Sequence, residues 1–295
     1  MTYLALTGAM IFWGLSFVAT KMALESFTTF TLVFARFSIA ACFFLVLMIW
    51  RGVPSFTGKA HVKLFLVAVF EPGLYFIFET IGLQYTSAPK AALIIATIPI
   101  VVLIFASLFL GERTSPIKLA GFFTSFAGII VLIAGDPKFN WELGGPLIGD
   151  LLIFGAVLSA AFYIVFARDL GQHYSALEIT SIQVIYGALL YAPAFFWELP
   201  KMRWEAVTES SVGALIYLTI FATIAAFLCY NYALTKISAS RASLFINGIP
   251  VVTTVGAWIL LGERLTLMQT GGGMLVLLAV YVTNLPGLQP RFQEI

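Results

Sequence analysis

"SAPKAALIIATIPIVVLIFASLFLGER" runs from Ser87 to Arg113, and "SASRASLFINGIPVVTTVGAWILLGER" runs from Ser238 to Arg264, 151 residues further on. Aligned without gaps, the two segments agree at 13 of 27 positions. Unrelated apolar helices share an occasional Leu or Ile. They do not share a basic residue (Lys90, Arg241), a mid-segment proline (Pro99, Pro250) and a closing Gly-Glu-Arg in one register. The chain therefore reads as a duplication. An earlier pair, "FWGLSFVATK" from Phe12 and "SAAFYIVFAR" from Ser159, each ending on a basic residue, adds slight support.

Composition sets the class. The chain is 61% hydrophobic and 10% charged, against roughly 45–50% and 25% in soluble domains. Its charges fall between apolar stretches of about 20 residues, the length that crosses a hydrocarbon core of about 30 Å. Ten spans are predicted, near 3–24, 28–50, 62–84, 88–110, 116–134, 146–168, 175–197, 212–235, 239–260 and 266–285. The alternating pattern of a membrane barrel is absent, so the expected fold is an all-α integral membrane protein. The duplication divides it at 1–137 and 138–295, five spans each. Five is odd, so the second unit enters the membrane from the opposite face. Inverted repeats of this kind mark secondary transporters, whose site lies near the midplane between the repeats.

The first span starts almost at Met1 with no basic leader, so it is expected to be retained rather than cleaved. Short loops leave no room for a soluble domain. Cys42 and Cys229 fall inside spans, where packing is their expected role, and a net charge of +2 with scattered basic residues gives no argument for nucleic acid. Nine of the fifteen Lys and Arg at span ends lie on one side if the N-terminus is inside, which places both termini in the cytoplasm.

In "FWGLSFVATK", in Arg36–Phe37 of the second span, in the small-residue spans with a central proline and in the Gly-Glu-Arg that ends each half, the chain resembles the drug/metabolite transporter superfamily of the EamA type. The resemblance covers essentially the whole chain. It implies a ten-helix exporter of the bacterial-type inner membrane, nearest to the amino-acid and metabolite exporters. The pseudo-dyad would let it work as a monomer.

The third span concentrates the chemistry. "FEPGLYFIFETIG" sets Glu71, Tyr75 and Glu79 at i, i+4 and i+8, a single helical stripe. A charge in the bilayer centre costs at least about 2.5–3.5 kcal/mol, so these acids are functional candidates facing the interior. Either one handles solute or protons, or forms a structural ion pair with Arg36 of the second span. Pro72 and Gly73 interrupt the helix there, as a kink or as a break that bares carbonyls to a cavity. Pro99 and Pro250 are the corresponding hinge candidates in the fourth and ninth spans. Shifted by 151 residues, the two acids map onto Ala222 and Tyr230, so the second half must complete the pocket, through Tyr163, Tyr230 and Asn231. Trp13 and Phe17 would add an aromatic wall. Small or short polar residues recur every four positions at Ala88, Ala92, Ala96 and at Ala239, Ser243, Asn247, a face for close helix packing. Asn247 is set apart, as a partner for substrate or for the carbonyl of Ile246. The Gly-Glu-Arg triplets read as anchors, because inverted copies sit on opposite faces and cannot share one central site.

The leading expectation is a secondary or facilitative transporter exporting amino acids or similar small metabolites by alternating access. No Walker loop is present, so ATP is not the direct energy source. A membrane-embedded lipid enzyme would need a nucleophile–base pair or a metal cluster, yet His61 and His173 stand alone in loops. A passive channel fits inverted repeats with broken helices poorly. Carriers of phosphorylated or nucleotide-linked metabolites would want several basic residues mid-membrane, and only Arg36 is available. No cofactor and no metal are expected; the partners are a small-molecule substrate and membrane lipid.

Overall fold

The computed structural model describes residues 1–52, 56–110, 116–137 and 145–283. The first Gly-Glu-Arg triplet, at 111–113, lies outside the described residues. Among those described, every regular element is a helix. Ten follow in order: α1 Thr2–Leu24, α2 Thr29–Arg51, α3 Gly58–Gly82, α4 Ala88–Phe109, α5 Pro116–Ala134, α6 Gly145–Leu170, α7 Ala176–Lys201, α8 Glu209–Lys236, α9 Ala239–Leu261 and α10 Leu267–Thr283. Eight are long and apolar enough to cross a membrane, and α5 and α10 carry shorter apolar segments. Large apolar side chains such as Ile49, Trp50, Phe196 and Trp258 stand exposed on the outside of the bundle, as a lipid-facing surface requires.

Local chemistry sets the helix limits. Ser87 and Ser238 cap α4 and α9, each accepting from the backbone N–H three residues on, Lys90 and Arg241. Ser175 and Glu178 form a reciprocal capping box at the start of α7. At the end of α9 Gly262 takes the left-handed conformation (φ +67°) that closes a helix, and Glu263 follows it.

The helices of the two halves interlock. α1 packs on α8 and α9, α6 packs on α3 and α4, α2 pairs with α7, and α5 pairs with α10. α5 and α10 approach so closely that a Cβ on Gly128 would meet the Gly272 carbonyl at 2.9 Å.

Irregular backbone recurs at matching positions. α3 is interrupted over Val69–Leu74, where Glu71 is extended (φ −145°, ψ 111°), and α8 carries a π-helical stretch over Leu218–Ala225. The first segment of α4 ends at Ile95 and the helix resumes at Ile98 ahead of Pro99; α9 has a 3₁₀ stretch over Leu244–Gly248 and resumes at Ile249 ahead of Pro250.

Each interruption in α3 and α8 is held from the opposite half. Gln183 Nε2 of α7 donates to the Glu71 carbonyl at 2.7 Å, and Tyr191 Oη donates to the Pro72 carbonyl at 3.0 Å and to that of Gly73. In return, Arg36 Nε of α2 donates to Thr223 Oγ1, and Trp13 Nε1 of α1 donates to the Ala222 carbonyl at 3.1 Å. The carbonyls of Glu71, Pro72 and Gly73 at the break thus receive donors from α7, where an unpaired carbonyl in an apolar interior would cost several kcal/mol.

Candidate functional site

A small cavity of about 30 Å³ lies between the helices of the bundle. Six helices line it: α1 with Trp13 and Ser16, α3 with Glu71, Tyr75, Phe76 and Glu79, α4 with Ile95 and Ile98, α6 with Ala160, Tyr163 and Ile164, α8 with Tyr230, and α9 with Ile246 and Ile249. These are the first, third and fourth helices of each five-helix half. The breaks in α4 and α9 place Ile98 and Ile249, each directly before its proline, on the wall.

Glu71, Tyr75 and Glu79 share this cavity although the helix is interrupted at Glu71, so the stripe expected from their spacing survives the break. Both acids are buried, at 5% and 1% exposure. Glu79 Oε2 accepts only a long bond, 3.4 Å, from Thr80 Oγ1. The ion pair with Arg36, the alternative to solute or proton handling, is not formed: among the described residues neither acid has a cation within 4.0 Å. Arg36 turns instead to Thr223, and its guanidinium carbon sits 4.4 Å from the centre of the Phe76 ring, with Nη2 buried and unpaired. Phe76 is therefore both cavity wall and cover for the arginine.

The aromatic wall comes from Trp13, whose ring lies 5.0 Å from that of Tyr230. Tyr230 is 1% exposed, and its Oη has no hydrogen-bond partner. Tyr163 Oη donates to Asn231 Oδ1 at 2.8 Å, while Asn231 Nδ2 donates to Thr180 Oγ1 at 2.8 Å and Gln183 Oε1 at 3.1 Å. A polar chain thus runs from the cavity through Asn231 and Gln183 to the break in α3.

Three sequence candidates lie elsewhere. Phe17 is buried in the apolar packing, because the cavity face of α1 runs through Trp13 and Ser16. Asn231 stands behind the wall as a connector. Asn247 sits in the 3₁₀ stretch of α9 with Oδ1 buried and unpaired, while its neighbours Ile246 and Ile249 line the cavity.

Sequence reasoning missed Gln183, Thr180 and Tyr191. Each is a polar side chain inside an apolar span, the same signal that singled out the glutamates. It also treated Lys90 as a loop-end charge. Lys90 is fully buried, with Nζ 2.7 Å from Asp150 Oδ2 and 2.8 Å from Asp136 Oδ2; Thr86 Oγ1 donates to Asp150 Oδ1 at 2.8 Å. Close by, Glu263 of the second Gly-Glu-Arg accepts from Lys21 Nζ and, at 2.8 Å, from the Ala88 N–H, so this triplet is an anchor binding α9 to α1 and α4. Among the described residues no cluster of three or more His, Cys, Asp or Glu is placed to hold a metal.

Replacing Asn231 with leucine leaves Thr180, Gln183 and Tyr163 short of a buried partner. Thermal unfolding in detergent is expected to show a loss of about 1–3 kcal/mol. Unchanged stability would mean that the chain from Tyr163 to α3 carries no energy.

Comparison with known proteins agrees with this architecture. The model of the EamA-like transporter family matches residues 1–134 and 147–285. A protein of Archaeoglobus fulgidus named "uncharacterized transporter" is 32% identical over 95% of this chain and 96% of its own. The transporter YetK of Bacillus subtilis (strain 168) is 26% identical over 98% and 88%. One crystal structure superposes with a TM-score of 0.72 over 96% of both chains at 18% identity, a likeness of fold.

Proposed function

Because the chain belongs to the EamA-like transporter family, we propose that it exports amino acids or similar small metabolites across the cytoplasmic membrane by alternating access. It acts as a monomer with both termini in the cytoplasm, and residues 1–137 and 138–295 form two inverted five-helix halves. The observation that carries this reading is the central cavity, to which the first, third and fourth helices of each half all contribute. A site on such a boundary is reached from either side as the halves rock against each other. Recurring breaks in α3 and α8, and in α4 and α9, support the duplicated, inverted arrangement.

Glu71 and Glu79 hold the solute or the coupling proton, Tyr75, Tyr163 and Tyr230 supply hydrogen bonds, and Trp13 supplies an aromatic face. The described residues lining the cavity include no lysine, arginine or histidine, which disfavours phosphorylated or nucleotide-linked solutes.

The test is counterflow. Purified protein in liposomes loaded with unlabelled amino acids and amines should take up labelled solute saturably. In Glu79→Gln the uptake should fall about tenfold or more, the effect of losing a hydrogen bond to a charged group. Folded protein that gives no saturable counterflow with any such solute would overturn the assignment.

A further inference from the structure

We propose that the central cavity selects an organic monocation, an amine or ammonium compound without a carboxylate, and exchanges it for a proton shared by Glu71 and Glu79. The inference rests on the reading of this cavity as the transport site and, of the solutes named there, keeps the amines and excludes the amino acids.

Charge counting carries it. Two carboxylates line the cavity, and the positive charge that acts on both is Arg36. The other titratable groups facing the acids are phenols: Tyr75 of α3, Tyr163 of α6, Tyr191 of α7 and Tyr230 of α8. Phenols keep their proton near neutrality and supply no counter-charge. With both acids ionised, the site therefore carries one uncompensated negative charge in an apolar interior. Such a charge is neutralised or paired because leaving it bare is costly. One proton or one monovalent cation restores balance; the two together overshoot. Occupancy is exclusive, so a cation entering the site displaces one proton and the total charge is conserved.

The wall fits a cation independently of that count. Trp13, Phe76, Tyr163 and Tyr230 are aromatic residues on the cavity wall, and the Tyr230 Oη is buried and unpartnered. A zwitterion or an anion fares worse. Its carboxylate would meet two acids, while Arg36 is not part of the cavity wall and its guanidinium lies against the Phe76 ring.

Three probes sharing one phenyl group separate the possibilities in liposomes holding the full chain: 2-phenylethyltrimethylammonium, phenylalanine and 3-phenylpropionate. The first is a fixed cation that cannot be trapped as a neutral base. With the interior acidic, its uptake should be saturable, driven by the pH gradient, and at least about tenfold above that of the other two, a difference of about 1.4 kcal/mol. Detergent-solubilised protein in weak buffer should release about one proton per ammonium bound. Release and pH-driven uptake should both be lost in Glu71→Gln and in Glu79→Gln, each purified as a monodisperse, cooperatively unfolding protein. Phenylalanine carried as well as the ammonium would overturn this proposal and leave the carrier reading standing. Ammonium uptake without proton release would overturn the exchange. Folded wild-type protein that moves none of the three would overturn both.

Discussion

Replacing Lys90 with methionine is expected to destabilise the protein by about 3–5 kcal/mol, the range for removing one partner of a buried ion pair. Methionine is unbranched and only one atom shorter, so the loss is mainly one of charge. Lys90 has no exposed surface, and Asp150, 2.7 Å away, has none either. Without the ammonium, Asp150 keeps only Thr86 as a described polar partner in an apolar setting. The effect should therefore be reversed by a second change on the acid: Lys90→Met with Asp150→Asn should recover much of the loss, since a neutral amide carries no charge to desolvate. Thermal unfolding of the four proteins in detergent completes the cycle. A single variant as stable as the parent, or a double variant no better than the single, would sink the argument. Lys90→Arg should not substitute, because a guanidinium is wider and the site is full.

The second large effect is expected at Gly187 of α7. A Cβ built there overlaps Pro72 Cγ and lies 3.2 Å from Pro72 Cδ and 3.4 Å from Phe37. Overpacking of this kind costs about 1–3 kcal/mol by itself. Here α7 has no free direction to yield, because Gln183 and Tyr191, on either side of Gly187, hold the carbonyls of the α3 break. Pushing the helix outward to admit a methyl group stretches those bonds as well. Gly187→Ala should therefore lower the unfolding temperature and cut counterflow together, and Pro72→Ala should relieve it in the double variant. An alanine variant with parental stability and flux would show that the contact between α3 and α7 is slack.

Much of this was legible in the sequence, and the reasons differ by feature. The ten spans follow from contiguity: lipid offers no partner for a backbone group, so each crossing is written as an unbroken apolar run. The break in α3 follows from Pro72–Gly73, and the convergence of Glu71, Tyr75 and Glu79 from their spacing. The partners were not legible. Lys90 meets Asp136 and Asp150 across 46 and 60 residues of chain, and no local pattern reports which of several helices will face it. The turn of Arg36 away from the glutamates depends on the π-helical stretch of α8, which places Thr223 within reach and which no proline announces. Phe17 and Asn247 are not among the residues that line the cavity. In α9 the 3₁₀ stretch sets Ile246 and Ile249 on the wall, whereas in the unbroken α1 the wall positions are Trp13 and Ser16.

The crossed hydrogen bonds between α3 and α7 also bear on how the chain is made. The Glu71 carbonyl precedes its donor, Gln183, by 112 residues, and the Pro72 carbonyl precedes Tyr191 by 119. At a synthesis rate of about 5–20 residues per second, α3 leaves the ribosome roughly 6–22 s before its partner. For that interval its bent segment lacks the donors that Gln183 and Tyr191 supply in the folded protein. The nascent first half must keep that segment beside water or an insertion factor, and its final burial waits for the second half to arrive. The bonds that complete α3 therefore form only after α7 has been made.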